Sequence, residues 1–347
     1  MESKGIIGLT NRGNTCYLNT SVQILSNVPL LTQYFLLNDD YLEDINNNLN
    51  NCNKKKNEIK ISLEYAKLIK ALWTSNTSIE PRSFHELIQK VDSKFSGFEQ
   101  HDAQEVLSLI LDNLHEGLKY DVEIMYDGQT ENSLDEIMVE SINNWKNNLQ
   151  NKYSIIAELF FGQFVNKIIS LDKHTKNHLV SKTFELFSML NIPIYGETLH
   201  DSLQKYFEKE VLETKYFDEK NNKHIDAYKQ IKLMKVPKYL IIVLKRYKNI
   251  MNGNSVKVNN LITFPIDNLD LSLYSEGYES IECSAKLISV SYHKGNVLNG
   301  GHYYAICRNK NDNWYKFNDN NVNEFDLNMN KNNFFKDAYI LIYEKTE

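Results

Sequence analysis

Residues 238–247 read KYLIIVLKRY, and the centre of this run, YLIIVL, has no polar face. Such a segment suits a strand buried on both sides. It is far too short to span a membrane as a helix, which takes ~18 apolar residues, and no other stretch of the chain approaches that length. Further strands are predicted downstream. In KLISVSYH (286–293), Ile288, Val290 and Tyr292 alternate with Ser289, Ser291 and His293, and HYYAICRN (302–309), NWYKF (313–317) and AYILIYE (338–344) follow at hairpin spacing.

The first half carries a helical period instead. Leu18, Val22 and Leu25 recur at i, i+4 and i+7 until Pro29 stops the pattern. Ser83 and Glu86 have the spacing of a capping box. Ala103, Val106, Leu107, Ile110, Leu111 and Leu114 form one stripe, with Gly117 as its expected stop. Helices first and antiparallel strands later predict an α+β fold, with its core, and a natural groove, between a helical lobe and a curved sheet. The Asn-rich stretches 44–57 and 127–152 read as surface insertions or linkers, although Ile137, Val139, Ile142 and Trp145 offer the second a helical face. DEKNNKH (218–224) reads as a hairpin tip or loop.

Hydrophobic residues make up 42% of the 347 residues, enough for a sizeable core. With 39 basic against 45 acidic residues the net charge is -6, which argues against nucleic acid or a membrane surface as a partner. The start, MESKGIIGLT, does not read as a signal peptide. The cysteines, Cys16, Cys52, Cys283 and Cys307, show no CxxC, so neither a disulfide framework nor a thiolate zinc site is expected. These features point to a reducing intracellular compartment.

Cys16 follows the turn and cap formers Gly13, Asn14 and Thr15, and the apolar period starts just after it. It is therefore predicted in the first turn of a helix, where free N–H groups and the helix dipole favour a thiolate. The alternative is a small buried core residue. Of the nine histidines, His302 stands out, because Gly300 and Gly301 precede it and allow a tight turn with close backbone approach. Asn318 and Asp319 follow the strand NWYKF, and either could hold the imidazole by its second ring nitrogen. In a regular strand the two would point to opposite faces, so only one of them would meet His302.

GLTNRGNTCYLNTSVQIL (8–25) resembles the cysteine box of the ubiquitin-specific proteases, and GGHYYAICRNKNDNWYKFNDNNV (300–322) resembles their histidine box. FEQHDAQEVL (98–107), LFFGQF (159–164), FELFSMLNIPI (184–194), KVPKYLIIVLKRY (235–247) and ITFPIDNLDLSLY (262–274) fall between them in family order. The resemblance covers nearly the whole chain. It implies a papain-like fold in a single catalytic domain, residues 1–347, with a helical thumb (1–155) and an antiparallel β palm with β fingers (156–345). No additional targeting domain is expected. Cys16 would be the nucleophile, His302 the general base, Asn318 the orienter and Asp319 a supporting residue. Asn11 matches the side chain that stabilises the oxyanion, although NRGN alone would make it a turn residue.

The implied substrate is ubiquitin, linked through its C-terminal glycine to a lysine of a target protein. Gly300 and Gly301 would flank a channel for its two-glycine tail. Gln100 and Asp102 of QHDAQE would contact that tail, whose arginines suit a carboxylate, while Asp102 and Glu105 also read as an N-cap and its capping-box partner. Tyr303 and Trp314 are read as sheet core near the site. Many family members bind a structural zinc through two CxxC pairs in the fingers. Here neither 170–173 nor 215–222 has a cysteine, and His174, His178 and His224 lack metal-ligand spacing, so no metal and no cofactor is expected. Ile306 stands where the family commonly has Tyr. The expectation is a monomeric deubiquitinase of the cytoplasm or nucleus. The alternatives are an inactive ubiquitin-binding module and a protease for another ubiquitin-like modifier.

Overall fold

Tyr239–Lys245 forms a central strand of the computed structural model, which describes residues 4–37, 40–51, 56–97, 99–125, 127–171, 178–249, 255–297 and 300–346. Cys52, Asp172, Lys173 and His174, together with Leu298 and Asn299 of the loop before His302, lie outside the described residues. The strand is buried on both faces, and its alternate residues supply two separate cores. Tyr239, Ile241 and Val243 join the helical lobe, whereas Leu240, Ile242 and Leu244 face a second core on the other side of the sheet. A single core between lobe and sheet was expected. The second one exists because Leu199–Tyr206, the 262–274 segment and Lys331–Phe335 cover the sheet's far face.

The sheet runs in the order Asn321–Glu324, Trp314–Asn318, Gly300–Arg308, Ser284–Val297, Ala338–Lys345, Tyr239–Lys245, Leu190–Pro193. Its pairings are antiparallel except the last, in which Ile242 to Lys245 run parallel to Leu190 to Pro193. In Ser284–Val297, Ser289, Ser291 and His293 are as buried as the apolar residues between them, because the helical lobe covers their face. Ile306, Tyr303 and Trp314 are all buried sheet core. A second sheet, Leu179–Phe187, Gly162–Ser170, Ala227–Lys235 and Glu210–Val211, forms the fingers. Phe164 and Phe187 stack there at 4.3 Å between ring centroids. Residues 218–224 make a hairpin between Tyr216–Asp218 and Lys223–Ile225.

The helical lobe holds α1 (Cys16–Ser26), α2 (Pro29–Leu36), α3 (Asp40–Asn51), α4 (Lys56–Thr74), α5 (Arg82–Val91), α6 (Ala103–Leu118) and α8 (Ile155–Phe160), while α7 (Ser133–Leu149) packs against the fingers sheet. The lobe thus runs a few residues past the expected boundary at 155. All 11 residues of α1 are buried, polar ones included. Most of their polar atoms are paired: Ser21 Oγ donates to the Ala103 carbonyl at 3.1 Å and Gln23 Nε2 to the Ile7 carbonyl at 2.8 Å.

Several local expectations fail for identifiable reasons. Residues 44–51 are helix rather than linker, because Tyr41, Ile45 and Asn48 bury one face of α3, and Asn48 Nδ2 donates to the Glu116 carbonyl at 2.7 Å. Most of the second Asn-rich stretch is α7, whose Ile137 packs with Val165 and Met234 and whose Trp145 and Leu149 pack with Ala157. Ser83 caps nothing, since α5 starts at Arg82 and Glu86 pairs with Arg82 at 3.0 Å. Gly117 lies inside α6 rather than after it. A Cβ there would sit 2.3 Å from Ser62 Oγ, so the glycine serves the close approach of α4 and α6.

Candidate active site

Cys16 is the first residue of α1 and is 1% exposed. The turn before it is tight, with Gly13 and Asn14 at φ 96° and 56°. Thr15 makes no side-chain cap to the helix. The turn is organised by Asn11 instead, whose Oδ1 accepts from Gly13 N at 2.9 Å, Thr15 N at 3.1 Å and Thr15 Oγ1 at 3.2 Å. This leaves the amide Nδ2 of Asn11 as its only donor group, and one of its two hydrogens goes to Asp319 Oδ2 at 3.0 Å.

His302 enters from the strand Gly300–Arg308, at the far end of the sequence. Its Nε2 bonds Asn318 Oδ1 at 2.6 Å, which leaves Nδ1 for the thiol. The facing Cys16 thiol is the foremost reason that the imidazole pKa is raised from 6.5 to about 9. Partial burial opposes the rise, while Asn318 and the charge of Asp319 add to it. The imidazolium is thus held by what faces it, the state a Cys–His nucleophile pair uses.

Asp319 does not follow strand alternation. It lies just past the strand Trp314–Asn318 at φ 52°, and this left-handed turn brings it to the same side as Asn318. Its Oδ2 is 3.9 Å from His302 Nε2, and its shorter bonds run to Asn11 and to Asn19 Nδ2, the latter at 2.9 Å. Asn19 carries no signal in the sequence beyond its place three residues after Cys16, one turn along the same helix face.

Gly301 adopts φ 150°, and a Cβ there would lie 2.6 Å from both His293 Nε2 and the Lys294 carbonyl. Gly300 has Val297 Cγ2 at 3.0 Å from its would-be Cβ. Gln100 Nε2 donates to the Gly301 carbonyl at 2.6 Å and approaches Asn14 Oδ1 at 3.4 Å, so it ties the histidine strand to the cysteine turn. His293, read from the sequence as one polar face of a strand, is a buried support beneath Gly301. Its Nδ1 bonds the Tyr247 hydroxyl, its ring stacks on Tyr303 at 4.1 Å, and burial pushes its pKa down to about 4. The His293–Tyr303 register could have flagged it, since it places two histidines on neighbouring strands beside the same turn.

Asp102 is the N-cap of α6, accepting from Gln104 N at 2.9 Å, and both its oxygens take the Tyr339 hydroxyl, at 2.9 and 2.7 Å. It is 8% exposed, and burial raises its pKa above the usual carboxylate value. The expected capping box does not form, because Glu105 turns outward to Lys94 at 2.5 Å. No group of three or more His, Cys, Asp or Glu side chains suited to a metal occurs among the described residues.

A buried thiol at a helix start, an imidazole and its orienting amide meet across lobe and sheet, and the family profile described as "Ubiquitin carboxyl-terminal hydrolase" matches residues 7–343, which include all three. The chain belongs to this family. Ubiquitin carboxyl-terminal hydrolase 2 of Bos taurus is 31% identical over 358 aligned residues, covering 99% of this chain and 55% of that protein. Ubiquitin carboxyl-terminal hydrolase 15 of Rattus norvegicus is 36% identical over 200 residues, 56% of this chain and 19% of that protein. The chain therefore spans about half the length, or less, of the curated relatives it matches. Among solved structures, the SAGA Ubp8/Sgf11/Sus1/Sgf73 DUB module bound to ubiquitin aldehyde matches with a TM-score of 0.77 at 24% identity, over 99% of this chain and 70% of that one. That likeness establishes the ubiquitin carboxyl-terminal hydrolase fold for this α+β chain.

Proposed function

We propose that this chain is a deubiquitinating cysteine protease that hydrolyses the isopeptide or peptide bond after the C-terminal glycine of ubiquitin. The observation that carries the reading is the Cys16–His302–Asn318 arrangement, in which the thiol raises the His302 pKa and the Asn318 amide oxygen holds Nε2 at 2.6 Å. The Cys16 thiolate attacks the carbonyl carbon, and the C=O electron pair moves onto oxygen. The second Nδ2 hydrogen of Asn11, beside the cysteine turn, is suited to that oxyanion. His302 then gives its proton to the leaving amine as the C–N bond breaks and a thioester forms. Water attacks the thioester, His302 takes up its proton, and the C–S bond breaks to release the ubiquitin carboxylate and the sulfur of Cys16.

The substrate follows from the family and from the shape of the approach. Gly300 and Gly301 present bare backbone beside His302, suited to a tail without side chains. Asp102 is a desolvated carboxylate with no ion pair among the described residues, and an arginine of the tail would complement it. We take residues 1–347 as one catalytic domain acting as a monomer on ubiquitin and ubiquitinated proteins, without nucleic acid, membrane or cofactor. The free thiols Cys16, Cys283 and Cys307 suit the reducing cytoplasm or nucleus.

Hydrolysis of a fluorogenic ubiquitin C-terminal amide tests the reading. Turnover that disappears in Cys16→Ala is expected. Binding of ubiquitin without turnover would make the chain a binding module, and turnover confined to a SUMO amide would make it a protease for another modifier.

A further inference from the structure

A cavity of about 660 Å³ lies outside the catalytic groove, at the base of the fingers. Its walls come from α7, from the end of the strand Ala227–Lys235 and from the Gly277–Ser280 turn, and none of Asn11, Cys16, His302 and Asn318 lines it. Its volume falls in the range of small-molecule sites. The walls are mostly apolar, with Met138, Ile142, Trp145 and Met234 facing inward, and Met125 at the rim is 79% exposed.

The polar side chains of the lining are largely committed to one another. Ser141 Oγ donates to Gln163 Oε1 at 2.5 Å, the Tyr278 hydroxyl to Asp135 at 2.5 Å, and Lys345 holds both oxygens of Glu279 at 2.7 and 2.8 Å. Lys235 differs. Its ammonium sits 3.6 Å from the centre of the Trp145 ring, and it makes no ion pair among the described residues. Glu282, the other acid of the lining, is exposed to solvent. We propose that this cavity binds a small amphipathic carboxylate, its apolar body against Trp145 and Met234 and its anionic head on Lys235. The desolvation that pulls the Lys235 pKa down to about 8 is what a bound anion would offset.

Decanoate and decanol are the probes, titrated against the full chain by calorimetry. Decanoate should bind about tenfold or more tightly than decanol. Lys235→Met should abolish that preference and leave decanol binding in place, while Lys235→Arg should keep it. The thermal midpoint of each free variant shows that it is folded. Equal affinity for the two probes, a preference that survives Lys235→Met, or no binding of decanoate below its micelle-forming concentration would each overturn the proposal.

Discussion

Asn11 Nδ2 donates to Asp319 Oδ2 at 3.0 Å, joining two residues 308 positions apart. The bond fixes the plane of the amide whose remaining hydrogen is proposed for the oxyanion, so in the proposed mechanism Asp319 acts through Asn11. Asn11→Ala should lower kcat by about 10²–10³ with little change in KM. Asp319→Asn suits the left-handed turn but can accept only one of the bonds now taken by Asn11 and Asn19, and should lower kcat by about 10–100-fold. In the double variant the second change should add little. Full additivity of the two losses would show that Asp319 does not work through Asn11.

Asn318 meets His302 directly at 2.6 Å, whereas Asp319 stands off at 3.9 Å. Asn318→Ala should therefore lower kcat by about a hundredfold, and Asn318→Asp should retain most of the activity because its carboxylate accepts the same bond. Steady-state rates on a ubiquitin C-terminal amide check both. A larger loss from Asp319→Asn than from Asn318→Ala would reverse the order of the two roles.

The parts of the site written in local sequence were legible. Cys16 at a helix start follows from the turn formers before it and the apolar period after it, and the buried strand 239–245 follows from its unbroken apolar run. What stayed hidden depends on neighbours remote in sequence. Strand alternation separates Asn318 from Asp319, but the left-handed turn at Asp319 overrides it. The capping spacings at Ser83 and Asp102 are present, yet Glu86 and Glu105 pair with Arg82 and Lys94 instead. Residues 44–51 look like a polar linker until α6 supplies the carbonyl that Asn48 bonds.

The Cys16–His302 pair predicts a pH profile. The folded pKa of His302, about 9, lies above its ordinary 6.5, so the imidazolium's contribution is complete below about 6.5 and is lost as pH rises through about 9. The alkaline limb of kcat/KM should fall near pH 9, as a property of the coupled pair. In Cys16→Ala the foremost cause is gone, and the His302 ring titration followed by NMR should move downward. An unchanged titration would mean that the thiol does not hold the imidazole.

Asp102 allows its two roles to be separated. Its folded pKa is raised by burial, so whatever stability its protonation supplies is present at low pH and lost as pH rises through the raised value. At neutral pH the charge is a burden that Tyr339 and Gln104 only partly relieve. Asp102→Asn keeps an oxygen for those donors and removes the charge, so the thermal midpoint should hold or rise. A fold that needed the charge would show a lowered midpoint. The same change leaves an arginine of the ubiquitin tail without its counter-ion, so KM should rise about tenfold or more while kcat stays near its original value. A variant with unchanged midpoint and unchanged KM would confine Asp102 to capping α6, and the cation-binding part of the proposed tail channel would then have to lie elsewhere.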